Sequence, residues 1–219
     1  MKKILSFVAA VMVASSLNAQ TLSLGPTAGF GHSWLRFPDA DDANPDRGFH
    51  PSYNAGVKVV YSFVSHWGVS ADVKFSSEGV TFKDADSDDK QINRLNYLRV
   101  PLQGIYFFEQ LGDRVRPKVS LGPSFGFLLG ANSRTKVDGE LSDKQDIKDN
   151  LETFDLGATL GVGANIRISR DIWLNTDISY LHGFTGISKG DISSGDDLKN
   201  SGLTLNVGVL FPIGKGSKK

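Results

Sequence analysis

The chain has 219 residues, enough for one domain or one closed barrel, and its 24 basic and 24 acidic side chains leave no overall field to draw it onto nucleic acid. It has no cysteine, which excludes disulfides, thiolate metal sites and cysteine nucleophiles. Glycine is abundant at 24 and methionine rare at 2, a balance that suits curved β-structure better than a helical bundle.

The first element in chain order is an address. Lys2 and Lys3 precede an apolar run over 4–14, and Ser15, Ser16 and Ala19 supply the small residues of a cleavage region. The run is about half of the roughly 20 residues that a membrane-spanning helix needs. A secretory signal peptide over 1–19 is therefore expected, followed by a barrel domain over 20–214 and a short basic tail over 215–219. No later segment approaches eighteen consecutive apolar residues, so a bundle of membrane helices is excluded by hydropathy.

From residue 21 onward the period is two, the signature of strands with one apolar and one polar face. The first segment, over 22–33, carries Leu24, Ala28 and Phe30 on its apolar face. The second, over 53–63, sets Tyr53, Val57, Val59, Tyr61 and Phe63 opposite Asn54, Lys58 and Ser62. The third, over 67–76, opposes Trp67, Val69, Val73 and Phe75 to Asp72, Lys74 and Ser76. Segments over 95–108 and 116–129 continue the pattern with Leu98, Val100, Leu102 and Tyr106, then Leu121, Phe125 and Phe127. The clearest case is 154–169, where Phe154, Leu156, Leu160, Val162 and Ile166 alternate with Asp155, Thr159, Asn165 and Arg167. The last two, over 172–185 and 203–213, present Leu174, Ile178, Tyr180 and Phe184, then Leu203, Leu205, Val207, Val209 and Phe211.

The connections alternate between short (65–66, 109–114, 170–171) and long, charged, Gly/Asp/Ser-rich (34–52, 77–94, 130–153, 186–201). That rhythm predicts an all-β fold: an eight-stranded antiparallel up-and-down transmembrane β-barrel with short periplasmic turns and four long outer loops. Alternation alone does not say which face is outside, since a soluble barrel would turn the apolar face inward. The signal peptide, the glycine-rich polar face and the aromatics at segment ends favour a barrel in the outer membrane of a Gram-negative cell.

The stretch Leu95-Asn96-Tyr97-Leu98-Arg99-Val100-Pro101-Leu102, with Leu17-Asn18-Ala19-Gln20 and a closing strand ending Val207-Gly208-Val209-Leu210-Phe211, resembles the PorT-like outer-membrane β-barrel family. The resemblance spans essentially the whole mature chain. It implies an eight-stranded outer-membrane barrel, not one biochemical activity.

Period-two counting directs Lys58, Asp72, Lys74, Arg99, Arg116, Lys118, Asp155, Arg167 and Asp177 into the lumen. Eight strands enclose just enough space for side chains, so these charges are expected to form a structural ion-pair network that fills the bore. Their basic excess keeps a narrow channel or small-solute-binding barrel as the alternative. A third reading is a lipid-modifying enzyme with His32 or His182 near a rim. His32, His50, His66 and His182 show no metal spacing and no serine sits in a nucleophile elbow, so no catalytic, cofactor or metal residues are assigned. The acidic groups Asp39, Asp41 and Asp42, and Asp84, Asp86, Asp88 and Asp89, lack the EF-hand pattern and are expected to be solvated loops. Expected partners are outer-membrane lipid, the barrel-insertion machinery and proteins met by the loops or the periplasmic turns.

Overall fold

The computed structural model describes residues 21–36, 47–63, 66–83, 89–111, 113–137, 140–169, 172–189 and 198–213. The expected signal peptide and basic tail, and the acidic groups at Asp39 to Asp42 and Asp84 to Asp88, lie outside the described residues. Eight strands form the wall: β1 Thr21–Arg36, β2 Pro51–Ser62, β3 Trp67–Lys83, β4 Lys90–Phe107, β5 Val115–Val137, β6 Phe154–Arg167, β7 Trp173–Gly183 and β8 Lys199–Ile213. Each pairs antiparallel with its sequence neighbours, and β1 pairs with β8 from Leu22↔Ile213 to Arg36↔Lys199. The ring is closed, so every strand is paired on both sides along the wall and an eight-stranded up-and-down barrel results.

The two faces are the inverse of a water-soluble protein. Outward, Leu121 is 60% exposed, Val162 58% and Leu205 56%, whereas inward Lys118 and Arg99 are each 2% exposed. Periodicity left this choice open; the observed exposure of the two faces agrees with the membrane reading, in which hydrocarbon takes the place of a protein core around the outer wall. Aromatic rings gather at both ends of the apolar band. At the end with the short turns, Trp67 and Phe108 each stand edge-on to Tyr106, and Tyr61 meets Phe63 in the same way. At the other end Phe127 packs on Phe154, and His32 stacks on Phe49.

Short turns, together with Thr21 and Ile213, lie at one end as expected. The long connections need correction. The polar stretch over 77–94 is mostly strand: β3 runs on to Lys83 and β4 starts at Lys90, paired Lys83↔Lys90. Likewise β5 continues through 130–137, and Glu140–Leu141 and Gln145–Asp146 add short strands to its edge. Above the aromatic belt a strand need not be apolar outside, so the alternation fades although the ladder continues.

A bulge marks the transition. Asn96 faces Gly130 and Tyr97 faces Leu128, leaving Leu129 as the extra residue on β5. Leu128 and Ala131 thereby both point inward, to an apolar cluster with Leu35, Val80, Leu95, Tyr97 and Ile187. Nearby, Gly79 adopts φ 140°, and a Cβ there would lie 2.0 Å from the Asn93 carbonyl oxygen, so only glycine fits.

Candidate functional site: the charged bore

The interior is built in layers, each from inward positions of several strands. At the end with the short turns, Val60, Ile105, Phe107, Trp173 and Leu210 form an apolar floor. Arg116 lies with its guanidinium carbon 3.7 Å from the Phe107 ring centroid and donates from Nε to the Glu109 carbonyl at 3.3 Å. It is thus a cap on the floor and takes no part in the ion-pair network in which the sequence placed it. Arg167, half-buried at the end of β6, lies at this lower end, 5.6 Å from the Trp173 ring centroid.

The next layer holds two lysines around two aspartates. Lys58 Nζ is 3.4 Å from Asp72 and 3.9 Å from Asp177, and Lys118 Nζ is 3.5 Å from Asp177. Asn206 donates to the other oxygen of Asp177 at 3.1 Å. With its amide oxygen turned to Lys118 Nζ at 2.6 Å, Asn175 presents its nitrogen to Asp177 at 3.2 Å. Lys74 lines the gap above, a cavity of about 40 Å³ shared with Ser76, Glu78 and Arg99. That volume has room for water.

The upper layer centres on Arg99. Its Nε and Nη2 bind Glu78 as a fork at 2.7 and 2.6 Å, while Nη2 also meets Asp155 at 2.6 Å. Asp155 accepts further bonds from Asn200 at 3.0 Å and Thr185 at 3.1 Å, and Ser76 donates to Glu78 at 2.8 Å. The Tyr97 ring lies 4.6 Å from the Arg99 guanidinium carbon and its hydroxyl accepts from Asn200 at 3.1 Å. Room for this fork comes from Gly126, where a Cβ would sit 2.7 Å from Arg99 Nη1. The apolar cluster around Leu35, Val80 and Ile187 packs above this layer.

Sequence reasoning missed Glu78, having assigned it to a loop. Counting on by twos from Asp72, Lys74 and Ser76 would have reached it. Its inclusion changes the electrostatics: the middle of the bore holds Lys58, Lys74, Arg99 and Lys118 against Asp72, Glu78, Asp155 and Asp177. Four cations face four carboxylates, so the basic excess that favoured an anion site is removed.

None of this constellation resembles a nucleophile with its base. His32 accepts the His50 backbone N–H at 3.1 Å, and His182 Nδ1 lies 3.2 Å from the Tyr180 hydroxyl. Among the described residues no three potential metal ligands come together. No helix among them is long and apolar enough to cross a membrane.

His50, which lies outside the wall, has a strongly displaced titration. Burial first, and the Arg94 charge second, push its imidazole down to about 4, and Nδ1 shares a 3.0 Å hydrogen bond with Thr81 Oγ1. The folded value lies below the unfolded one, near 6.5. The packing of His50 therefore contributes fully above that value and weakens as pH falls toward 4. Limited proteolysis of the upper sheet should accelerate over this interval in the wild type and stay level in His50→Gln; parallel pH profiles would refute the assignment.

The arrangement defines a class: a closed membrane-embedded β-barrel with a hydrogen-bonded, charge-balanced interior. The chain belongs to the outer membrane protein beta-barrel domain family, whose model matches residues 18–189, and its place is the outer membrane. Solved structures agree in fold. The outer membrane protein OprG from Pseudomonas aeruginosa is 13% identical with a TM-score of 0.55, covering 90% of this chain and 97% of that one. A major outer membrane protein from Thermus thermophilus is 16% identical with a TM-score of 0.54, covering 90% and 100%. No curated protein matches the sequence.

Proposed function

We propose that the protein is a non-conducting scaffold that carries its outer loops and upper sheet on a plugged barrel, for contact with protein partners outside the cell. The observation behind this reading is the bore itself. Ion pairs fill its middle at 2.6 to 3.9 Å, and apolar clusters pack above and below. Such a core rigidifies a support and offers no continuous wet path. The reading includes export through a cleaved signal peptide over 1–19 and assigns no catalytic residue. The PorT-like affinity of residues 95–102 fits it as well, since Leu95, Tyr97 and Arg99 of that stretch build the plug.

Two measurements on the intact protein test the proposal. In planar bilayers the purified barrel should give no steady current, and open-channel conductance would overturn it. On whole cells, an impermeant maleimide should label Asp143→Cys in the upper hairpin and leave Glu109→Cys in the opposite turn unlabelled. Equal labelling of both would reverse or abolish the assigned orientation.

A further inference from the structure

The outer wall carries a second polar feature, unconnected with the bore. Beyond the bulge, β4 and β5 place Arg94, Asn96, Asn132 and Arg134 on the outward face. In register, Ile92 opposes Arg134 and Arg94 opposes Asn132, so the two arginines are diagonal neighbours on one face. Diagonal positions in an antiparallel pair stand roughly 7–8 Å apart, a span that two long guanidinium side chains can close around a single phosphate. Lys144, on the adjoining hairpin, completes the rim of a groove of about 380 Å³. Its apolar lining includes Tyr53, Phe75 and Leu141.

Among the described residues no carboxylate lines this groove. Glu140, Asp143 and Asp146 belong to the same hairpin and stand outside its lining. The ion pairs of the bore involve none of the three cations. Among the described residues Arg134 Nε, shielded from solvent, has no hydrogen-bond acceptor, a costly state for a charged donor. The groove is therefore a cationic concavity with an unsatisfied donor at its wall.

Its height on the barrel says what kind of anion it meets. Phe75 and Leu98 are paired at the level of the outer aromatic belt, and Arg94 lies four residues further along β4. Four residues rise roughly 13 Å along a strand, or about 9 Å along the membrane normal at the usual tilt. The guanidinium of Arg94 turns toward Tyr53, reaching 5.7 Å from its ring centroid, and so comes down toward the headgroup layer. Headgroups occupy roughly 5–8 Å outside the hydrocarbon of each leaflet. Below, Phe75 leads the apolar lining onto the lipid-facing wall, where acyl chains lie.

We propose that this groove binds the phosphate-bearing headgroup of a glycolipid in the outer leaflet, with Arg94 and Arg134 clamping a phosphate and Lys144 closing over it. The amides of Asn96 and Asn132 face the sugar hydroxyls, and the acyl chains run down past Phe75. Lipid held there would seal the upper sheet to the membrane surface on one side of the barrel.

The full-length protein, refolded in neutral detergent, is titrated with diphosphoryl lipid A and with its dephosphorylated counterpart, and bound lipid is counted by native mass spectrometry. Wild type should retain one phosphorylated lipid about tenfold more tightly than the dephosphorylated one. The triple variant Arg94→Gln, Arg134→Gln, Lys144→Gln should lose about that factor, and Lys83→Gln, Lys90→Gln, Lys136→Gln at the rim should not. Heat-modifiability on gels checks folding of both, and Arg134→Gln alone supplies the test if the triple variant does not fold. Equal retention by groove and rim variants, or equal affinity for the dephosphorylated lipid, overturns the site. Displacement by millimolar inorganic phosphate overturns the lipid assignment, because it would mark a site for free anions.

Discussion

Arg99→Leu should destabilise the folded barrel by about 3 to 5 kcal/mol, because it leaves Glu78 and Asp155 buried without their common cation. Both carboxylates lie 2.6 Å from Nη2, and Asp155 is fully buried. The loss is a penalty for stranding charge, not the net worth of the pair, so its size depends on what remains. Removing the charge from the acids as well should recover part of it: Arg99→Leu combined with Glu78→Gln and Asp155→Asn should be more stable than Arg99→Leu alone. Urea unfolding in detergent or liposomes measures both. If the single variant unfolded at the wild-type midpoint, the upper layer would be hydrated and the plug incorrectly described. A parallel variant, Asp177→Ala, strands Lys118 and one side of Lys58, and should behave in the same sense.

Leu160→Arg should cost about 2 to 4 kcal/mol, since it sets a cation against lipid close to the bilayer midplane. Leu160 is outward and 48% exposed, opposite Leu121 on β5 and Tyr180 on β7. It stands six residues below Phe154 of the outer aromatic belt and eight above Ile168 near the other rim. The penalty falls to roughly 0–1 kcal/mol near an interface, so Ile168→Arg should be nearly harmless by comparison. Thr159→Ser, on the inward face next door, should change little. Equal refolding of Leu160→Arg and Ile168→Arg into liposomes would show that depth does not matter at these positions and that the outer face is not lipid-covered.

These variants probe two parts of the molecule that were unequally visible in the chain. The lipid-facing positions were legible because a single solvent, hydrocarbon, contacts every second residue of eight successive strands. Leu24, Val57, Leu121, Leu160 and Leu205 all stand outward as their spacing required. Inward charges such as Lys58, Asp72, Lys118 and Asp155 were legible by the same parity, and all are buried.

What lies above the membrane was not legible in this way. There Ser77, Lys83, Arg94, Asn132 and Arg134 read as loop, although they continue the ladders of β3, β4 and β5. Period-two alternation reports lipid on one side of a sheet; where water replaces lipid, the hydrogen bonds persist and the pattern does not. The PorT-like stretch shows the same divide within eight residues. Its outward Leu98, Val100 and Leu102 follow the pattern, whereas the roles of Tyr97 and Arg99 depend on partners from distant strands.

By itself, the sequence determined the strand count, the order of short and long connections and the parity of each side chain in the membrane band. Those properties are local, set by residues two apart and by the solvent they meet. Only the tertiary structure decided that Glu78 balances the bore and that Arg116 and Arg167 lie at its lower end. It also decided, through the bulge at Leu129, that Leu128 and Ala131 both join the apolar cluster above the charged layers, and that Arg94 and Arg134 share one outward face. The reason is physical: ion pairs, lids and grooves join residues far apart in the chain, such as Asn200 and Tyr97 at a separation of 103 positions, and only closure of the ring sets their distances.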